Sequence, residues 1–207
     1  MSDILARLER KAIPVVRTDT RADAEQVVFW LAEAGVRIFE VTLTTPGATE
    51  LISALTQEAD LLVGAGTVHE ADAARAALDA GAQFLVSPRL SEDVVRLSRD
   101  ADTPCICGAL TPSEIATANA YGADAIKIFP VNAVGGAGYI RSVRDVFPEL
   151  VFIPTGGIRI DDVSAYFDAG AYALGVGGAL VDKSAIARGD SGAIKAAAAS
   201  LADIGAL

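Results

Sequence analysis

The sequence predicts an α/β fold: a single (β/α)8 barrel over residues 1–207, with one extra helix at its N-terminus. Three observations carry this. Short apolar runs recur at intervals of roughly 20 to 26 residues. Amphipathic stretches of helical period lie between them. Four of those stretches end alike, with a small residue, then glycine, then the next apolar run. Strand–helix alternation with short connections implies a parallel sheet, and eight near-equal units in 207 residues suit closure into a barrel. An open doubly wound sheet is the alternative. It is disfavoured because no G-x-G-x-x-G follows the first strand.

In chain order, "SDILARLERK" precedes the first apolar run and reads as the helix outside the repeat. The candidate strands are "AIPVVR" (12–17), "VRIFEVT" (36–42), "LLVGA" (61–65), "QFLVS" (83–87), "PCICG" (104–108), "AIKIF" (125–129), "VFIPT" (151–155) and "YALGV" (172–176). Between the first two, "RADAEQVVFWLAEAG" places Val27, Val28, Leu31 and Ala34 on one helical stripe. Gly35, Gly81, Gly122 and Gly170 fit left-handed helix caps, a conformation that costs any residue with a Cβ. His69 follows a glycine-rich turn and is expected to start a helix. Cys105 and Cys107 are read as buried small hydrophobes pointing to opposite faces of their strand, without a disulfide or metal role. The tail after Lys183, with "GAIKAAAASLADI", reads as the last helix.

Composition excludes several functions. A chain of 207 residues that is 52% hydrophobic and 21% charged fits a compact soluble domain. A net charge of −10 repels a phosphate backbone and argues against nucleic acid. It leaves room for a small anion in a locally positive pocket. The N-terminus lacks an apolar core of signal-peptide length, and no run is long enough to span a membrane, so a cytoplasmic protein without a membrane partner is expected. One histidine excludes a multi-histidine metal site, and no Asp/Glu cluster suggests a carboxylate-held ion.

In a barrel of this kind, chemistry sits at the C-terminal ends of the strands. Side chains there alternate between the interior and the helix layer. Phe39 and Val41 should face the helices, which turns Ile38, Glu40 and Thr42 inward. Ile126 and Ile128 likewise turn Ala125, Lys127 and Phe129 inward. A carboxylate and an amine thus point into one barrel from strands two and six. Arg17 ends strand one, Thr67 follows strand three in "GAGT", and Thr155 ends strand seven.

Two readings of Glu40 and Lys127 stand. They form a buried structural ion pair, a poor stabiliser because desolvation offsets attraction, or Lys127 is a nucleophile. Of the lysines Lys11, Lys127, Lys183 and Lys195, only Lys127 lies inside an apolar strand. Removal from water disfavours the charged form of an amine. A free amine attacks a carbonyl carbon and forms a Schiff base. "PTGGI" (154–158) and "GVGGAL" (175–180) end strands seven and eight. Glycines there let backbone N–H groups approach an anion, in the place where barrels commonly hold phosphate. Tight turns without a ligand are the other reading.

"EVTLTTPGA", "VGAGTV", "FLVSPRL", "KIFP", "PTGGI" and "GVGGAL" occur in this order at strand ends. Together they resemble the 2-keto-3-deoxy-6-phosphogluconate (KDPG) aldolases, which overlap with the 4-hydroxy-2-oxoglutarate (KHG) aldolases. The resemblance spans nearly the whole chain. It implies a class I, Schiff-base, metal-independent pyruvate aldolase of carbohydrate metabolism, without a cofactor and usually a homotrimer, taking a 2-keto acid and a phosphorylated aldehyde. It implies Lys127 as the Schiff-base residue, Glu40 as general acid/base, and Thr67 as a ligand of the pyruvate carboxylate. Pro88 and Phe129 would line the pocket. Thr155, Gly156, Gly157, Gly177 and Gly178 would hold phosphate. Two positions depart from the commonest pattern. Thr44 stands where many members carry a carboxylate-binding arginine, so Arg17 becomes the expected replacement. Ala179 stands where many carry a phosphate-binding serine. The implied reaction is reversible cleavage of KDPG to pyruvate and glyceraldehyde 3-phosphate. KHG or 2-keto-3-deoxy-6-phosphogalactonate is the alternative substrate, and a non-catalytic barrel that binds a phosphorylated ligand is the alternative class.

Overall fold

A computed structural model describes residues 3–207. Eight parallel strands follow in chain order: β1 (Ala12–Val16), β2 (Ile38–Thr42), β3 (Leu62–Gly66), β4 (Leu85–Val86), β5 (Cys105–Ala109), β6 (Ala125–Ile128), β7 (Phe152–Pro154) and β8 (Leu174–Val176). Each lies within or against one of the predicted runs. The sheet order is β7-β6-β5-β4-β3-β2-β1-β8, so β1 pairs with both β2 and β8. The seam between β7 and β8 is closed by the bridge of Thr155 with Gly175 and by the Tyr172 N–H donating to the Phe152 carbonyl. The result is a barrel with helices between its strands.

Two apolar clusters occupy the two sides of the strands. The outer one packs Phe39, Val41, Ile126 and Ile128 against the helices. The inner one fills the base of the barrel with Ile13, Ile38, Leu62, Phe84, Ile106 and Ile153. The alternation predicted for strands two and six is the observed one: Ile38 and Ala125 lie inside, and their neighbours lie outside. Helix α1 (Asp3–Arg7) covers the base, where Leu5 and Leu8 join the inner cluster. The Tyr172 hydroxyl donates to the Leu5 carbonyl at 3.1 Å and fixes this plug to strand eight's approach.

Helix α2 (Arg21–Glu33) starts at Thr20, whose side chain accepts from the Asp23 N–H, and buries Ala24, Val27, Val28, Trp30 and Leu31. The cap glycines have φ of 99°, 86°, 89° and 90° at Gly35, Gly81, Gly122 and Gly170, as their left-handed role requires. Three expectations need correction. Cys105 and Cys107 both belong to the outer cluster, because residues two apart on a strand share a face. Both are free thiols, and burial pushes their pKa values up, which makes them inert. His69 lies in the loop before the helix Ala71–Asp79, whose N-cap is Glu70. The C-terminal tail holds the helix Ser191–Ala202, and a short helix, Lys183–Ala187, precedes it.

Candidate active site

The sequence places polar groups at the level above the inner apolar cluster. Two residues beyond Ile38 the same face of β2 carries Glu40. Two beyond Ala125, β6 carries Lys127. Each is only 4% exposed. The Lys127 Nζ lies 3.4 Å from Glu40 Oε1, across the barrel interior. Room for the pair comes from Gly66, two residues past the β3 partner of Glu40. Glu40 is in register with Gly64 of β3 and Lys127 with Gly108 of β5. A Cβ on Gly66 would stand 2.1 Å from Glu40 Oε1 and 2.6 Å from its Cγ. Gly66 therefore clears the space that the carboxylate occupies. A Cβ on Gly108 would stand 2.3 Å from the Pro88 carbonyl carbon, so that glycine lets the chain after β4 fold over the site.

A cavity of about 850 Å³ opens above this pair. Every sequence-predicted site residue except Glu40 lines it, and Glu40 sits behind Lys127. At one end Arg17, one residue past β1, donates to Thr67 Oγ1 at 2.9 Å. Thr67 has φ of 60°. A β-branched residue in that region costs on the order of 1–3 kcal/mol, and such strain is concentrated at functional sites. The backbone thus holds the Thr67 hydroxyl where Arg17 meets it, at some cost.

Pro88 and Phe129 form the side of the cavity. The Lys127 Nζ lies 5.6 Å from the centre of the Phe129 ring. Phe129 precedes a cis Phe129–Pro130 peptide, and the chain then forms a 3-10 turn at Val131–Val134. The Asn132 N–H donates to the Gly156 carbonyl at 3.3 Å, which fastens this turn onto the glycine pair after β7. A Cβ on Gly157 would stand 2.3 Å from Asn132 Nδ2. Thr155 is 6% exposed and lies so close to Gly175 that a Cβ there would come within 2.3 Å of its hydroxyl. Gly177 and Gly178 face open space on the other side of the seam, with Ala179 beside them.

Thr44 does not line the cavity. It joins a hydroxyl cluster with Thr42, which donates to the Val16 carbonyl at 3.1 Å and stands 3.1 Å from Thr44 Oγ1. That cluster ties the end of β2 to the end of β1, immediately before Arg17. The structure also brings in residues that sequence reasoning did not single out: His69, Arg159, Asp182, Lys183 and Ser184. Only their positions after the glycine-rich strand ends could have pointed to them. The cavity carries Arg17, Lys127, Arg159 and Lys183, against one lining carboxylate, Asp182. Asp182 accepts from the Ser184 and Ala185 N–H groups at 2.7 and 3.0 Å, which offsets its charge. A chain of net charge −10 thus keeps a locally positive pocket. Among the described residues no group of three or more His, Cys, Asp or Glu could hold a metal ion. No described helix is long and apolar enough to cross a membrane.

The family model for KDPG and KHG aldolase matches residues 4–197. The 2-dehydro-3-deoxy-phosphogluconate aldolase of Treponema pallidum (strain Nichols) is 37% identical over 193 residues, covering 92% of this chain and 91% of its own length. The KHG/KDPG aldolase of Escherichia coli (strain K12) is 34% identical over 180 residues, covering 86% of this chain and 84% of its own. The crystal structure of the KDPG aldolase from Legionella pneumophila, with pyruvate captured at low pH as a covalent carbinolamine, superposes with a TM-score of 0.86. It is 28% identical and covers 95% of this chain and 97% of its own.

Proposed function

From the premise that this chain belongs to the KDPG and KHG aldolase family of class I pyruvate aldolases, we propose that it cleaves KDPG reversibly to pyruvate and glyceraldehyde 3-phosphate. The observation that carries this reading is the buried Lys127–Glu40 pair, 3.4 Å apart, beneath a cavity whose lining cations outnumber its one carboxylate, Asp182. Lys127 Nζ attacks the C2 carbonyl carbon of the keto acid. Loss of water from the carbinolamine gives the protonated imine. Glu40, directly or through a water, supplies and removes the protons of these steps. It then takes the proton of the C4 hydroxyl. The C3–C4 bond breaks, its electron pair flows into the imine as an enamine, and the aldehyde departs. Protonation at C3 and hydrolysis of the imine release pyruvate and regenerate Lys127. The covalent intermediate makes a cofactor unnecessary.

Arg17 and Thr67 are positioned to orient the substrate carboxylate, with Pro88 and Phe129 against the pyruvyl group. Holding the C3–C4 bond perpendicular to the imine plane, where its electron pair overlaps the imine π orbital, lowers the barrier through orientation, an effect worth roughly several kcal/mol. The glycine pairs Gly156–Gly157 and Gly177–Gly178, with Thr155, supply a small-walled end that suits the phosphate. The homotrimer that the resemblance implies belongs to this proposal too, and light scattering of the purified protein tests it.

The test of the substrate is a cleavage panel: KDPG, its galactonate epimer and 4-hydroxy-2-oxoglutarate, with pyruvate release as the readout. The highest kcat/KM is expected for KDPG. A higher value for 4-hydroxy-2-oxoglutarate would replace the phosphorylated substrate while keeping the chemistry. Cleavage of none of them would leave the non-catalytic barrel.

A further inference from the structure

The cavity has two unlike ends. At the deep end both cations already have partners inside the fold: Lys127 with Glu40, and Arg17 with Thr67. At the other end the wall carries the two glycine pairs and Ala179, which bring backbone dipoles but no formal charge, and Asp182, whose carboxylate is taken up by the Ser184 and Ala185 N–H groups. The positive charge at that end comes from two rim residues, Arg159 and Lys183. Arg159 meets Asp161, its near neighbour in sequence, at 3.4 Å. Lys183 reaches further. Its Nζ lies 2.5 Å from Asp19 Oδ1, which ties the first residue of the short helix after β8 to the segment that follows β1.

This pair is exposed, with side chains 55% and 78% accessible, so it contributes little to stability. Its exposure makes it exchangeable. A phosphate monoester offers up to two negative charges and three acceptor oxygens where Asp19 offers one charge and two. We propose that Lys183 is a specificity-determining residue: it leaves Asp19 to pair with the distal phosphate of the substrate, and Asp19 is the internal competitor that it leaves. The identity of the substrate rests on the aldolase reading above. The ammonium at the rim does not rest on it. Lys183 also gives the cavity a means of preferring a terminally phosphorylated keto acid when Ala179 offers no hydroxyl.

The test reads binding without turnover. 3-Phosphoglycerate, a carboxylate joined to a phosphate ester, is titrated by calorimetry into the intact protein and three variants. Lys183→Met is expected to weaken binding about tenfold, the effect of losing one charge-assisted contact. Asp19→Asn is expected to tighten it, because the competitor is gone. Lys195→Met, which removes the same charge from a pair with Glu33 outside the cavity, is the control for net charge. Lys183→Arg, which keeps the charge, should retain most of the affinity even if Lys183→Met folds poorly. The proposal is overturned if Lys183→Met binds within twofold of the parent, if Lys195→Met weakens binding as much, or if the parent does not bind 3-phosphoglycerate. Because no step of the assay requires Lys127 chemistry, this failure is separate from failure of the aldolase reading.

Discussion

The lower and upper halves of the barrel interior are built from the same strands and do opposite things. At the base, Ile13, Ile38, Leu62, Phe84, Ile106 and Ile153 fill the space, and Leu5 and Leu8 close it from below. Two residues further along, the same inward face carries Glu40, Lys127 and Thr155, with Gly64, Gly108 and Gly175 on neighbouring strands. The period of two that packs large apolar groups into one layer puts polar side chains and glycines into the next, and the glycines admit Phe84, the chain after β4 and the Thr155 side chain. The base supplies burial and therefore stability. The top supplies buried charge, which stabilises poorly, and space, which a stable core avoids. Stability and chemistry are thus separated by a single step of strand alternation.

The comparison breaks most sharply at the top. Lys127→Met removes the proposed nucleophile, and cleavage in a pyruvate-release assay should fall by at least about 10³-fold. Glu40→Gln keeps the shape and removes the proton carrier, so kcat should drop by about 10²–10⁴-fold while borohydride trapping of pyruvate remains detectable. Gly66→Ala places a Cβ 2.1 Å from Glu40 Oε1 and forces the carboxylate aside. A loss of about 10²-fold in kcat is expected from that displacement. Near-parental turnover would mean that the carboxylate has another productive position. At the base the signs reverse. Ile106→Ala should cost about 2–5 kcal/mol of stability in denaturant melts, with turnover per folded molecule close to the parent's. The smallest effect belongs to neither half: Arg75→Ala breaks an exposed pair with Asp72 and should change stability by less than about 1 kcal/mol.

Much of this contrast was legible in the sequence, because it follows from periodicity. The eight apolar runs marked the strands, the four glycines marked helix ends, and alternation turned Glu40 and Lys127 inward. Patterns of this kind depend on local spacing, which a sequence displays directly. What the sequence hid depends on contacts between distant segments. The closeness of Gly66 to Glu40 follows from the β2–β3 register, and the reach of Lys183 to Asp19 spans 164 residues. The left-handed φ of Thr67 has no signature in residue type, since threonine disfavours it. The two cysteines share a face because a separation of two keeps a strand's face, as it does for Glu40 and Ile38.

On the proposed mechanism the buried Lys127 amine is a nucleophile and not half of an inert ion pair. Incubating the protein with pyruvate, reducing with borohydride and mapping the modified peptide by mass spectrometry tests it directly. One stoichiometric adduct, on Lys127, is expected. No adduct, or an adduct on Lys11, Lys183 or Lys195, would contradict it.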